Sequence, residues 1–357
     1  MDNILTIVIP NRNRDLKIVK QSLKSIHPQL IDHVTVTLVD YGSAVSYQRQ
    51  LKELIDGFKG IELITCPVQG QLWNKSRCIN LILKNTTATH LMVSDMDLIW
   101  HPDFLETMVP QLDNKSTSYF PVGFMSQEES VKDVSFDQRT IKFMSNEEAT
   151  GISIFPVHQL LEINGFDEFY HGWGGSEDTD VHLRLRNAGY EVRFRESEIY
   201  FKHQWHEKAY RSLNQGSIFH TQLEKINHQR TEIVKKHKLV QSNLHHSFGL
   251  MPVEQDYGRL ETTEELISVN FEKNNVIATL ASLPIMGLNK VIEIRFIKEE
   301  VSWTAKIKNY LKPKQYFLDA AAVNDMILLE IVNRYRNLPY FYSYSKESIS
   351  LKIMLCE

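Results

Sequence analysis

Residues 90–97 read HLMVSDMD, an apolar run that ends in two carboxylates one residue apart, Asp95 and Asp97. The run from His90 to Ser94 has the length and apolar character of a buried strand. Carboxylate oxygens are the ligands that hard divalent cations prefer. The pattern therefore predicts a strand whose carboxyl end carries a cation-binding loop.

Runs typical of strands alternate with helical spacing ahead of this stretch. The strand-like runs are 4–9, 34–39, 61–64 and 90–94, and the helical patterns are 16–26, 47–58 and 72–83. This βαβ order predicts a mostly parallel sheet with right-handed crossovers and a ligand site at the carboxyl ends of its strands. The polar segments 11–14, 40–43 and 95–97 should therefore meet at one edge of the sheet.

The patterns in the rest of the chain predict further strands and helices of this domain, followed by a smaller second domain. Further strands are expected at 152–155, 190–194 and 199–202, and helices at 157–163, 178–188 and 222–238, with a polar excursion at 126–148. Beyond a boundary near 240–260, strands are expected at 266–271, 276–280 and 291–296 and a helix at 320–334. We predict an α/β domain over 1–245 and a C-terminal α/β or α+β accessory region over 260–357, whose role the sequence leaves unknown.

Composition limits the kinds of partner. The 40 basic and 44 acidic residues give a formal net charge of −4, which argues against a nucleic-acid binder. Cys66, Cys78 and Cys356 form no CxxC pair, so a reducing cytoplasm is expected. The longest apolar stretch, 276–288, is interrupted by polar residues and a proline, so no transmembrane segment is expected. Peripheral contact at the inner face of the membrane stays open.

Four ordered motifs carry a resemblance to a known group. They are IVIPNRNRD at 7–15, WNKSRCIN at 73–80, VSDMDLI at 93–99 and INGFDEFYHGWGGSEDTDVHLRL at 163–185. Together they resemble the β1,4-galactosyltransferase family and the bacterial family 2, chondroitin-polymerase-type glycosyltransferases, over about residues 4–206. The resemblance implies a GT-A (Rossmann-like) fold and inverting transfer of a sugar from a UDP-sugar to a hydroxyl of a glycan.

The resemblance also implies a metal site. Asp97, supported by Asp95, and the later His203 would hold Mn²⁺, with Mg²⁺ as the alternative. Mixed oxygen and imidazole ligands suit Mn²⁺ better than Ca²⁺. His206 lies three residues beyond His203 and could replace it as the ligand. The competing interpretation is that the two carboxylates only cap the helix expected near Asp103.

The segment GWGGSEDTD at 172–180 supplies a second acidic pair. By resemblance Asp178 is the general base that deprotonates the acceptor, and Glu177 holds the acceptor or orients that base. A hydroxyl that attacks an anomeric carbon needs such a proton acceptor within hydrogen-bond reach. Ser176 departs from the family, which runs Trp-Gly-Gly directly into Glu-Asp. Alternatively, the acidic residues only begin a helix, where Asp and Glu are common.

The donor site is likewise implied by resemblance. The residues expected to contact the nucleotide, the phosphates or the donor sugar are Pro10, Arg12, Arg14, Asp40, Lys75, Arg77, Asp95, Met96, Trp173, Gly174 and Gly175. Arginine suits phosphate because its donors form a fixed fork. The competing interpretation for Arg12, Arg14 and Asp40 is solvated loop or turn residues.

The function predicted is a metal-dependent hexosyltransferase that uses UDP-galactose or UDP-N-acetylgalactosamine. Its acceptor would be a glycan or glycolipid in bacterial surface polysaccharide synthesis. The alternatives are another donor, such as UDP-GlcNAc or UDP-Glc, and a noncatalytic glycan-binding module on the same fold. The segment SNEEATGIS at 145–153 departs from the galactosyltransferase pattern, so the resemblance does not fix the donor sugar.

Overall fold

The computed structural model describes residues 3–173, 175–197, 199–207, 218–286, 289–298, 316–345 and 347–355. Contacts between residues divide the chain into two units. The first comprises residues 1–66 and 73–251, and the second comprises residues 67–72 and 252–357. The assignment of residues 67–72 to the second unit had no counterpart in the sequence patterns.

The first unit is built on a seven-stranded sheet in the order β10-β6-β9-β4-β1-β2-β3. Its strands are β1 (Leu5–Asn11), β2 (Val34–Tyr41), β3 (Ile61–Cys66), β4 (His90–Val93), β6 (Ser116–Tyr119), β9 (Ser153–Pro156) and β10 (Glu191–Phe194). Neighbours pair in parallel except at β9, which is antiparallel to both β4 and β6. The mostly parallel α/β sheet predicted from the alternation of strands and helices is confirmed.

A smaller sheet in the same unit has the order β5-β11-β7-β8. Its strands are β5 (Leu98–Trp100), β7 (Val122–Phe124), β8 (Phe143–Met144) and β11 (Phe201–His203). The sequence patterns predicted β11, as part of the run 199–202, but not β5, β7 or β8. Strands of two or three residues are too short to show the alternation of apolar and polar residues that identifies a strand. Strand β11 of this sheet carries His203, one of the predicted metal ligands.

The first unit also contains helices. They are α1 (Leu16–Ile26), α2 (Val45–Ile55), α3 (Lys75–Asn85), α4 (Phe104–Met108), α5 (Gln127–Ser130), α6 (Val157–Glu162), α7 (Glu177–Asn187) and α8 (Ile218–His237). Side chains set their starts: Asp15 accepts from the amide of Lys17 at α1, and Asn74 accepts from the amide of Arg77 at α3. The inner face of α1 is fully buried at Val19, Leu23 and Ile26, and each such aliphatic side chain contributes about 1.5–3 kcal/mol.

The second unit has its own sheet, in the order β12-β13-β15-β14. The strands are β12 (Glu265–Asn270), β13 (Val291–Ile297), β14 (Tyr340–Tyr344) and β15 (Ser348–Met354), and the helices are α9 (Glu254–Arg259), α10 (Lys273–Met286) and α11 (Ala320–Glu330). Strands β12 and β13 are parallel, whereas β15 is antiparallel to both β13 and β14.

One predicted strand in this unit is wrong. Residues 276–280 lie inside α10. A short, continuous apolar run carries no periodicity that separates a buried strand from a buried helix. No helix among the described residues is both long and apolar enough to cross a bilayer. The accessory role of residues 260–357 stays a prediction.

Candidate active site

A cavity of about 1090 Å³ lies in the first unit, where β1 and β4 end. Many of the residues predicted from the motifs line its wall: Pro10, Arg12, Arg14, Lys75, Asp95, Met96, Asp97, Trp173, Gly175, Glu177, Asp178 and His203. Gly174 lies outside the described residues. The loops that follow separate strands therefore meet at one place, as expected for the carboxyl edge of a parallel sheet.

Strand pairing in the small sheet brings the predicted metal ligands together. Strand β11 pairs antiparallel with β5 so that His203 lies opposite Leu98. The amide of Gln204 then donates to the carbonyl oxygen of Asp97 at 2.8 Å. As a result, His203 Nε2 lies 3.4 Å from Asp97 Oδ1, and His206 Nε2 lies 3.1 Å from Asp97 Oδ2. Both histidines that the sequence offered as alternatives reach the same carboxylate.

The donor set at Asp97 fits a divalent cation. One carboxylate oxygen and one nitrogen from each of His203 and His206 lie within 4.8 Å of one another. Asp97 Oδ1 is buried and accepts no hydrogen bond from the part of the chain that the structure describes. A buried carboxylate oxygen without a donor is costly unless a cation compensates it. Sites that mix oxygen and nitrogen ligands bind divalent first-row metals, Mn²⁺ among them.

Charges around Asp97 keep it ionised. Burial alone raises the pKa of Asp97, but His203, a hydrogen bond from His206 and the guanidinium of Arg14 together lower that pKa by more. The net result is a pKa well below the usual aspartate range. Arg14 Nη2 lies 3.1 Å from Asp97 Oδ2, so this predicted phosphate contact is paired with a carboxylate in this structure.

Lys75 connects the two acidic motifs. Its Nζ lies 2.8 Å from Asp95 Oδ1 and 3.6 Å from Glu177 Oε1. Asp95 is therefore paired with a lysine, and it lies outside the cluster formed around Asp97. Lys75 stands in the first turn of α3, and the Asn74 cap described above fixes that turn. A single ammonium thus holds one residue of each acidic motif at the cavity wall.

The environment of Glu177 favours its neutral form. Burial and the charge of Asp178 raise the pKa of Glu177 to about 7, against the opposing effect of Lys75. Asp178, the next residue, also lines the cavity, and its Oδ1 accepts a hydrogen bond from the amide of Thr179 at 2.8 Å. The site therefore holds two adjacent carboxyl groups in different environments, an arrangement that can separate proton-transfer and binding roles.

Asp180, the third acidic residue of this segment, has a structural role. It is fully buried. Its Oδ2 accepts from Arg184 Nε at 2.7 Å, and its Oδ1 accepts from the hydroxyl of Tyr170 at 3.0 Å. Asp180 anchors α7 to the protein interior and does not line the cavity.

Gly151 is a site residue that the sequence did not single out. A Cβ atom built on Gly151 would lie 3.4 Å from both Asp178 Oδ2 and Asp95 Oδ2. The absent side chain leaves room between these two carboxylates. The signal that could have found Gly151 is its position in SNEEATGIS, the segment that departs from the family pattern.

Asp40 and Arg77 lie behind the cavity wall, not on it. Asp40 is fully buried, and it accepts hydrogen bonds from Asn11 at 2.8 Å, Ser43 at 2.6 Å and Gln48 at 3.0 Å. Arg77 is also buried and lies 3.8 Å from Glu168. The direct nucleotide contacts expected of Asp40 and Arg77 do not fit this placement. Asn11, which Asp40 orients, lines the cavity instead.

Aromatic rings form part of the same wall. Trp73 and Trp173 stack with ring centroids 4.8 Å apart and planes 14° apart. Gly172 and Gly175 have φ angles of 80° and 68°, which a residue with a side chain rarely adopts. Ser176 also lies in this left-handed region, at φ 78°. Sequence reasoning missed further lining residues: Asn11, Trp73, Phe124, Met125, Ser126, Gln127, Glu128, Lys142, Phe143, Gly172, Trp205 and Glu207.

Comparison with known proteins gives two family matches. Residues 6–161 match the model described as glycosyl transferase family 2, and residues 132–207 match the model described as the N-terminal domain of galactosyltransferase. Beta-1,4-galactosyltransferase 5 of Sus scrofa is 34% identical over 84 residues, which are 24% of this chain and 21% of the relative. The Homo sapiens protein of the same name is 50% identical over 42 residues, 12% of this chain and 11% of the relative. The chain thus spans about a fifth or less of the curated relatives it matches.

Two solved structures also show similarity. Staphylococcus aureus TarS in complex with UDP-GlcNAc is 13% identical, with 66% of this chain and 69% of that chain covered and a TM-score of 0.43. Mannosyltransferase PcManGT from Pyrobaculum calidifontis, in complex with GDP-Man and Mn²⁺, is 14% identical, with 94% and 83% covered and a TM-score of 0.43. The family matches confirm the predicted resemblance: the chain is similar to glycosyltransferases of family 2 and of the galactosyltransferase type.

Proposed function

We propose that this protein is an inverting, Mn²⁺-dependent glycosyltransferase that moves galactose or N-acetylgalactosamine from its UDP derivative to a hydroxyl of a glycan or glycolipid. One observation carries the proposal: the cluster of Asp97, His203 and His206 and the carboxyl groups of Glu177 and Asp178 line a single cavity. A cation site beside a proton acceptor is what displacement of a nucleoside diphosphate by a hydroxyl requires.

The cluster around Asp97 would hold the cation. When bound there, Mn²⁺ or Mg²⁺ supplies positive charge that stabilises a departing diphosphate. Arg12, Arg14 and Lys75 add cationic side chains to the same wall, where guanidinium groups suit phosphate oxygens. Galactose as the transferred sugar is supported by the printed name of the matched relatives, beta-1,4-galactosyltransferase 5.

Asp178 is the proposed base. Its carboxylate takes the proton of the acceptor hydroxyl while that oxygen forms a bond to the anomeric carbon. The bond from this carbon to the diphosphate oxygen breaks, UDP leaves with the electron pair, and the configuration inverts. Asp178 then releases its proton to solvent. Glu177, held by Lys75 and partly protonated near neutral pH, would hold the acceptor by hydrogen bonds.

Purified protein with a panel of UDP-sugars tests the proposal. UDP-Gal, UDP-GalNAc, UDP-GlcNAc and UDP-Glc are incubated with Mn²⁺ or with chelator, with and without methyl glycosides as acceptors. We expect hydrolysis and transfer that require the cation and favour one of the galacto-configured donors. A preference for UDP-GlcNAc or UDP-Glc would correct the donor, and full turnover in chelator would reject the metal assignment. Glycan binding without turnover of any donor would favour the noncatalytic module.

A further inference from the structure

The aromatic rings of the cavity differ in how much of their surface is open. Trp73 is 7% exposed, and Trp173 covers one of its faces. Phe143 and Trp205, in contrast, are 55% and 39% exposed. An exposed aromatic ring in a cavity offers an apolar face to a ligand, and large exposed apolar groups beside a binding site tend to belong to it. The proposed function assigns no role to the rings of Phe143 and Trp205.

Contacts hold Phe143 in a fixed orientation. Strand β8 pairs antiparallel with β7, with Phe143 opposite Phe124. Their rings stack with centroids 4.7 Å apart and planes 8° apart, and Phe124 in turn lies 4.7 Å from the ring of His203. A row of rings thus leads from the cation cluster outwards to Phe143. Because Phe143 stays more than half exposed while it stacks, its face opposite Phe124 is open.

The position of Trp205 is set by β11 and by a hydrogen bond to Ser130. It follows β11 by two residues, and its backbone amide donates to the Ser130 hydroxyl at 2.7 Å. Trp205 and Gln127 line both the catalytic cavity and a second cavity of about 1400 Å³ in the same unit. The two cavities therefore adjoin at these two residues, and a molecule longer than one sugar would extend from the first cavity towards the second.

Polar groups accompany these rings. Glu128, Lys142 and Glu207 line the catalytic cavity as well. A pyranose ring presents an apolar face of C–H groups and an edge of hydroxyl groups, so it needs an aromatic plane and charged hydrogen-bonding groups close together. The groups on the wall beside Phe143 and Trp205 match both requirements.

We propose that Phe143 and Trp205 form a stacking platform for the acceptor glycan. The inference rests on the proposed function and adds the side of the cavity from which the acceptor enters. The residues expected at the nucleotide, such as Pro10 and Arg12, follow β1 of the large sheet, whereas β8 and β11 belong to the small sheet. The two substrates would then approach the cation cluster from different sheets. The second cavity favours an acceptor of several sugars.

Variants at Phe143 test this platform without touching the cation ligands. Phe143→Leu keeps an apolar side chain but removes the ring, and Phe143→Tyr keeps the ring. Met144→Ala is the matched control, because Met144 is the other residue of β8, is exposed, and does not line the cavity. The probes are methyl β-galactoside, methyl β-N-acetylglucosaminide and N-acetylchitotriose as acceptors, and UDP with Mn²⁺ for the donor side. Acceptor KM and UDP affinity are both measured.

We expect Phe143→Leu to raise the KM of the acceptor by roughly tenfold, the cost of losing about 1.4 kcal/mol of stacking, and to change UDP affinity much less. Phe143→Tyr should restore the KM, and Met144→Ala should match the unmodified protein. A loss of UDP affinity as large as the loss for acceptor would overturn the inference, since Phe143 would then serve the nucleotide. An acceptor KM that Phe143→Leu leaves unchanged would also overturn it. If the unmodified protein neither binds UDP nor turns over a donor, it is the proposed function that fails.

Discussion

The backbone amide of Gln204 donates to the carbonyl oxygen of Asp97 at 2.8 Å, and this bond extends the antiparallel pairing of β11 with β5 beyond the last residue of β11 and the first residue of β5. It sets the position of the segment that carries His203 and His206. The proposed cation site therefore depends on a long-range strand register, in addition to the short acidic motif visible in the sequence.

The first prediction concerns the two histidines. His203→Ala and His206→Ala should each weaken Mn²⁺ binding by at least the roughly 10- to 100-fold that changes to residues around metal ligands cost. Direct titration of Mn²⁺, followed by electron paramagnetic resonance, measures this without turnover. His158→Ala serves as the control, because His158 is exposed and lies outside the cavity. Loss of binding in only one of the two variants would remove the other histidine from the ligand set.

The sequence predicted the large sheet well for a physical reason. Strands β1, β2 and β4 are almost fully buried, and helices with clear spacing separate β1 to β4, so their pattern is local. The small sheet could not be predicted in the same way. Phe143 pairs with Phe124 across an irregular segment, and neither strand is long enough to show a period. Asp40 shows a second limit of prediction from sequence. A polar residue at the end of a strand can point into a buried hydrogen-bond network as easily as into a cavity.

A second prediction separates the proposed base from the cation ligands. Asp178→Asn keeps the shape of the side chain but cannot accept a proton, so transfer should fall by about 10² to 10⁴-fold. UDP affinity should change little, because the base acts on the acceptor in the transition state. Steady-state kinetics and calorimetric titration with UDP measure the two effects. Asp103→Asn, at an exposed aspartate, is the control. Transfer at the unmodified rate would place the base elsewhere, with Glu177 the next candidate.

A third prediction concerns Asp180, which is buried between Arg184 and Tyr170. Asp180→Ala leaves the buried guanidinium of Arg184 without its carboxylate. Removing one partner of a buried ion pair costs about 3–5 kcal/mol. The variant should therefore unfold at clearly lower urea concentration than Asp178→Asn, with far-ultraviolet circular dichroism as the measurement. Equal stability of the two variants would contradict the anchoring role of Asp180.

The last prediction follows from the pKa of Glu177, which burial and Asp178 raise from 4.5 to about 7 in the folded protein. In the unfolded chain the carboxyl group titrates near its ordinary value, so the folded state binds the proton more tightly. The stability that this proton contributes is fully present below about pH 4.5 and is lost as the pH rises through about 7. Glu177→Gln cannot ionise and should lack this contribution to the pH dependence.

Urea unfolding of the unmodified protein and of Glu177→Gln at several pH values between 5 and 8 tests whether the contribution of Glu177 to stability falls as the pH rises. The free energy of unfolding of the unmodified protein should fall relative to that of the variant as the pH rises across this window. Lys75→Met gives an independent check, because Lys75 is the cation that opposes the shift. Its removal should move the pKa of Glu177 higher and extend the loss of stability to higher pH. A difference between unmodified protein and Glu177→Gln that is constant from pH 5 to 8 would mean that Glu177 is already ionised throughout. Glu177 would then bind an acceptor as a carboxylate and not as a neutral acid.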